Sequence, residues 1–192
     1  MKSVYVGTAI VLAGALAAAG AVYWPKGAQI SQTERFTAPG LDPLTIGDAQ
    51  TEFWRLTPAL LLVVYEAFGA TQEDEIYDTL ADVTHGEALE YLYLERVGAM
   101  AGGGLDEVDQ TIHEIKLLNT DVARQNDALE LDASWQVIGT VGHSEHLHVR
   151  GNTYRADLIV APVDGAWRIV DFELRDVNRD TAGEMFPASQ TD

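Results

Sequence analysis

Leu129-Glu130-Leu131-Asp132-Ala133-Ser134-Trp135-Gln136-Val137-Ile138-Gly139-Thr140-Val141 carries the clearest structural signal in the chain. Leu129, Leu131, Ala133, Trp135 and Val137 lie two apart, with Glu130, Asp132, Ser134 and Gln136 between them. A period of two belongs to a strand with one buried and one wetted face. The next stretch repeats it: Tyr154, Ala156, Leu158 and Val160 take one face, Arg155 and Asp157 the other. Pro162-Val163-Asp164-Gly165 is a turn, its Asp-Gly pair suited to a tight hairpin. A last strand follows, with Trp167, Ile169, Asp171 and Glu173 on one side and Val170, Phe172 and Leu174 on the other. Thr111 to Leu118 is ambiguous, because Val108, Ile112 and Ile115 also fit a helical period.

Before this β-rich half the period changes. Phe53, Leu56, Leu60, Val63, Val64 and Ala67 recur at three and four, as in a helix with one buried face. Asp48 suits its N-cap and Gly69 its stop, while Pro58 threatens a kink or a delayed start. Thr71 to Asp74 has capping-box spacing and opens a second helix with Ile76, Tyr77 and Leu80 inward. His85-Gly86 breaks it. Glu87 to Met100 forms a third, with Leu89, Leu92, Tyr93 and Val97 inward. Tyr91 and Tyr93 cannot share a face, so one is expected at the surface as a hint of a protein partner.

The expected fold is therefore α+β, with three helices packed on a curved antiparallel sheet of about four strands. Residues 1–25 form a leader, 26–47 a linker, 48–178 the domain and 179–192 a frayed polar tail. Hydrophobic residues make up 47% of the 192, enough for a real core. Thirty acidic against 12 basic residues leave a formal charge of −18, which argues against nucleic acid or anionic lipid as a partner. With no cysteine there is no disulfide framework, thiol nucleophile or zinc–thiolate site.

Val4 to Trp24 (VYVGTAIVLAGALAAAGAVYW) is uncharged, with Lys2 before it. As a secretory signal it would be cut near Ala17-Ala18-Ala19. As a retained single-pass anchor it has the required length of about 20 residues, with Tyr5 and Tyr23-Trp24 as interfacial aromatics. The anchor is the favoured reading, holding the protein to the inner membrane with the domain in the periplasm or outside the cell.

Helices followed by a long twisted sheet resemble, from about Gln50 to Asp176, the element order of the NTF2-like (SnoaL-like, cystatin-like) cone superfamily. That resemblance implies a sheet curled around the helices with a pocket between them, and in some members a His–Asp pair for proton transfer. EIYDTLADVTHGEALEYLYLE (75–95) and GHSEHLHVRGNTYRADL (142–158) also resemble an uncharacterised family of exported bacterial proteins. NTF2-like sheets often pair, so the resemblance also implies a homodimer.

Gly142 to Tyr154 holds three of the five histidines. His146, His148, Arg150 and Asn152 share parity with Tyr154, placing a polar row at the mouth of the cone above an apolar floor. Three readings compete. The row can be structural, with Arg150 paired to Asp171 or Glu173. It can line a ligand or peptide pocket made by His146, His148, Arg150, Asn152 and Tyr154. Or His143, His146 and His148 can hold a divalent transition metal, Cu(II), Zn(II) or Ni(II), through imidazole nitrogens. No Gly-x-Ser-x-Gly, phosphate loop or His-Glu-x-x-His is present, and catalysis by His146 or His148 with Asp171 is the weaker option. His85 and His113 read as structural. The functional expectation is a membrane-anchored extracytoplasmic binding domain, an accessory or scaffold part of an envelope or inner-membrane protein assembly, with a periplasmic metal-binding protein as the alternative.

Overall fold

The computed structural model describes residues 31–101, 109–143, 146–178 and 185–187, with side chains described for 31–101, 112–140 and 151–178. In chain order the elements are β1 (Phe36–Ala38), β2 (Leu41–Leu44), α1 (Ile46–Thr51), α2 (Phe53–Gly69), α3 (Glu73–Val83), α4 (Glu87–Ala101), β3 (Asp109–Gln125), β4 (Ala128–His143), β5 (His146–Val163), β6 (Ala166–Asn178) and β7 (Met185–Pro187).

The expectation of three helices on about four antiparallel strands is corrected by this architecture. Six strands form one mixed sheet in the order β2-β1-β6-β5-β4-β3, and β7 adds to β5 beside His146 to His148. The sheet is mixed because β1 meets β6 in parallel, at Thr37 and Ala166. Two of the extra strands come from the stretch expected as linker, and β7 from the stretch expected as tail. These pieces of three or four residues are too short to show a period. The fourth helix arises because the pattern starting at Asp48 divides at Glu52 (φ −104°). Thr45 is the true N-cap of α1. Its hydroxyl accepts from the Asp48 N–H at 3.1 Å while the Asp48 carboxylate accepts from the Thr45 N–H at 3.1 Å. The capping box thus falls at Thr45–Asp48; α3 begins after Gln72 with no side-chain cap. Pro58 is accommodated within α2.

The expected membrane-spanning anchor is corrected as well: among the described residues, no helix is long and apolar enough to cross a membrane. Val4 to Trp24 lies outside the described residues.

Long hairpins build the sheet. Asn126 (φ 57°) turns β3 into β4, and Asp164 (φ 50°) with Gly165 (φ 82°) turns β5 into β6, the left-handed angles a tight hairpin needs. Four bulges interrupt the ladders of the two long hairpins, β3–β4 and β5–β6. On β3, His113 and Leu118 have no opposite number on β4. On β6, Val170 and Arg175 have none on β5. Each adds one residue to a two-residue period, so the inward face of β3 reads Ile112, Ile115, Leu117, Thr120, Val122. That spacing is what made β3 look half helical. The Val170 bulge likewise turns both Trp167/Ile169 and Phe172/Leu174 toward the helices, although they have opposite parity. Bulges bend and twist strands, and here they curl the sheet into a half-barrel.

The core fills its inner face. Leu129, Leu131, Ala133, Trp135, Ala156, Leu158, Val160, Trp167 and Ile169 are buried against Leu56, Leu60, Leu61, Val64, Ile76 and Leu80. The Trp167 indole donates to the Leu44 carbonyl at 3.2 Å, tying β6 to β2. α2 lies over β3 and α4 over β6, with α3 packed on both helices.

Candidate functional site

Along the paired strands β4 and β5 the inner face changes character. At one end Leu129, Leu131 and Ala133 stand opposite Val160, Leu158 and Ala156; then come Trp135 opposite Tyr154, Val137 opposite Asn152, Gly139 opposite Arg150, Val141 opposite His148 and His143 opposite His146. Among the residues whose side chains are described, the half-barrel thus grades from aliphatic to aromatic; for His143, His146, His148 and Arg150 the ladder gives the backbone pairing alone.

The aromatic level is where side-chain geometry is richest. Tyr154 stacks on Trp135 with centroids 5.7 Å apart and planes 16° apart. The α2 residue Tyr65 leans on Tyr154 at 5.9 Å, and its phenol oxygen accepts the Trp135 indole N–H at 3.1 Å. The Asn152 amide lies 3.5 Å from the Tyr154 hydroxyl. Phe172 meets Trp135 edge-on at 6.4 Å and is stacked by Tyr91 of α4 at 5.9 Å. Trp135 is fully buried; Tyr65, Asn152, Tyr154 and Phe172 are half-buried. Burial, and secondarily the neighbouring Tyr154 phenol, push the Tyr65 phenol well above its ordinary range, while the Trp135 N–H pulls against them. Tyr65 is therefore neutral, with a hydroxyl proton able to donate.

Of the residues expected to line a pocket, Asn152 and Tyr154 join this wall. The side chains of His143, His146, His148 and Arg150 lie outside the described residues; the ladder gives their backbone positions. Those positions set the separations along the ladder for two expected pairings. Asp171 stands opposite Ile159, eleven residues along β5 from His148, or about 36 Å at about 3.3 Å per residue. Glu173 stands opposite Asp157, seven residues from Arg150, or about 23 Å. The ladder therefore sets Asp171 and Glu173 far along β5 from His148 and Arg150, because the Asp164–Gly165 turn seats them near the opposite end of that strand.

Asp171 and Glu173 belong instead to the outer face. Asp121, Asp132, Asp157 and Glu173 stand side by side across β3, β4, β5 and β6. Arg155 grips Asp132 at 3.0 and 2.6 Å, and Arg175 bridges Asp157 and Glu173. Its hydrogen bonds to Arg155 hold the Asp132 carboxyl below the usual carboxylate range. Among the described residues, no group of three or more His, Asp or Glu is placed to hold a metal ion. His113, at its bulge, bonds Thr140 at 3.0 Å, and the His85 backbone N–H donates to the Ile169 carbonyl at 2.9 Å.

Sequence reasoning passed over Arg96. It is 6% exposed, on the buried stripe Ala88–Leu92–Arg96 of α4. One guanidinium nitrogen donates to the Ala70 carbonyl at 2.6 Å; Nε and Nη1 are buried without a hydrogen-bond partner. Desolvation presses its pKa downward. The i, i+4, i+8 spacing from Ala88 was a signal for its burial, masked because arginine is almost never buried.

No protein-family model and no curated protein matches the chain. Among solved structures, the crystal structure of the intermembrane space region of the chloroplast protein ARC6 aligns at a TM-score of 0.41 and 18% identity, covering 67% of this chain and 92% of that one. A likeness at that level bears on neither mechanism nor partners.

Proposed function

We propose that this chain is an extracytoplasmic binding domain, an accessory or scaffold component of an envelope assembly, and that it binds at the aromatic level of its inner face. The observation that carries the reading is the half-buried wall of Tyr65, Tyr154 and Asn152 backed by Trp135. Aromatic rings with polar tips, left partly open beside an apolar floor, suit recognition better than packing alone. Among the described residues, this wall has no nucleophile beside a base, which favours binding over catalysis. Location outside the cytoplasm rests on the apolar Val4–Trp24 sequence.

Photo-crosslinking from the intact envelope tests it. Benzoylphenylalanine in place of Asn152 is expected to give a discrete adduct, and the same probe in place of Glu130 on the outer face none. Adducts of equal yield from both positions, or none from 152, count against the reading.

A second reading is favoured by one backbone fact: His143 stands opposite His146, with His148 two residues on. In that reading the three histidines hold Cu(II), Zn(II) or Ni(II). Calorimetric titration with each ion, beside a His146→Ala/His148→Ala double variant, supports it if tight binding is lost in the variant and removes it if neither protein binds.

A further inference from the structure

We infer that Arg96 is the receptor for the carboxylate of a small organic acid whose apolar body lies against the Tyr65–Tyr154 wall; this rests on the binding reading above. The first ground is the state of the guanidinium. Five N–H donors are available to an arginine, yet among the described residues Nη2 donates to the Ala70 carbonyl, and Nε and Nη1 are buried and unpartnered. None of the ion pairs among the described residues involves Arg96. Buried charges are tolerated when paired and fully hydrogen-bonded. Arg96 meets neither condition, and an incoming carboxylate would supply both.

The second ground is position. Thr84 bridges Ile169 in parallel and Tyr91 stacks on Phe172, so α4 runs alongside β6 in the same direction. Five residues beyond Tyr91, at about 1.5 Å per residue, Arg96 is level with Leu174. Leu174 stands opposite Ala156, the next inward residue after Tyr154. From the other side, Ala70 lies five residues past Tyr65 on α2, again about 7 to 8 Å. Arg96 thus lies one inward step of β5, about 7 Å, from Tyr154 of the aromatic wall, within reach of a short hydrocarbon or aryl body.

The chemistry of the ligand follows. One buried guanidinium, in a chain with a formal charge of −18, matches a single negative charge better than the two of a phosphate ester. The planar fork fits a carboxylate through two parallel N–H donors. Phe68, Met100 and Leu174 are partly buried hydrophobic residues packed against the core, and Tyr65 offers a neutral hydroxyl.

The test uses the full chain, decanoate as probe, decan-1-ol as its uncharged match and acetate as a bare carboxylate, with binding read by calorimetry and Tm. Decanoate is expected to bind and raise Tm, decanol to bind about tenfold to a hundredfold more weakly, as loss of charge-assisted hydrogen bonds dictates, and acetate not to register. Arg96→Met is expected to lose that advantage while keeping or raising its own Tm, since it removes an unpaired buried charge. Arg96→Lys, which lacks the fork, should recover only part of it. Equal binding of decanoate and decanol overturns the Arg96 assignment and leaves the aromatic wall standing. So does an Arg96→Met protein that melts well below the parent, because Arg96 would then be paired within the chain. Binding of neither probe overturns the proposal alone, since the binding reading stands or falls with the crosslinking from position 152.

Discussion

Tyr65 concentrates several forces in one side chain. Its ring packs on Phe68 and Tyr154, and its oxygen satisfies the buried Trp135 indole. Tyr65→Phe would leave that N–H unpaired, at a cost of about 1 to 3 kcal/mol in a urea titration. The same burial sets a pH dependence. Unfolded, the phenol ionises near its ordinary 10.0; folded, it does so higher. Its contribution to stability is therefore complete below pH 10 and is lost as pH rises from 10 toward the folded value. Tm should fall above pH 10 in the parent and fall less steeply in Tyr65→Phe. Parallel slopes in the two proteins would assign the alkaline loss to other groups. Arg96 is the complementary residue: one buried side chain is satisfied by its neighbours, the other is left short of acceptors.

At the scale of elements, the four bulges do the shaping. Leu118 is exposed and unpaired, with Leu117 opposite Trp135 and Asn119 opposite Ser134. Deleting Leu118 closes the ladder without moving any inward residue, so the protein should still fold, flatter at β3 and altered in stability by about 1 kcal/mol or less. Deleting Ser134 from the unbulged β4 has the opposite consequence. Every residue on one side of the gap exchanges the core face for the solvent face, and cooperative unfolding should disappear. Circular dichroism and urea titration of the two deletions distinguish them; similar behaviour would mean that the bulges are passive. The elements legible from periodicity were those with a regular ladder or a long helix: β4, β5, α2, α3 and α4. β3 was ambiguous and β6 misassigned in part, since a bulge resets the period by one and nothing local to the strand announces it.

For the molecule as a whole, charge is the unbalanced term. The outer face sets Asp121, Asp132, Asp157 and Glu173 in one row, offset by Arg155 and Arg175. Like charges directly opposite one another on a sheet destabilise it. These groups are solvent-exposed, so salt should screen the repulsion, with a Debye length of about 10 Å at 0.1 M. Raising NaCl should lift Tm, by roughly 2 to 4 °C for each kcal/mol of repulsion removed, and Asp121→Asn should lift it at low salt alone. A Tm that falls with salt would show that the arginine bridges outweigh the repulsion.

The amino-acid order alone determined which residues of β4 and β5 face inward, where the long helices run, the Asp164–Gly165 turn and the acidic surface. Each follows from a residue's nearest neighbours along the chain, where backbone period and side-chain polarity act directly. Tertiary structure alone decided the strand count, the parallel seating of β1 on β6, the parity shifts on β3 and β6, and the aromatic wall shared by Tyr65, Trp135 and Tyr154. It also decided that Asp171 and Glu173 stand far from the histidine-bearing end, and that Arg96 is buried. These depend on partners tens of residues away, and the free energy of such contacts exists only once the sheet has curled around the helices.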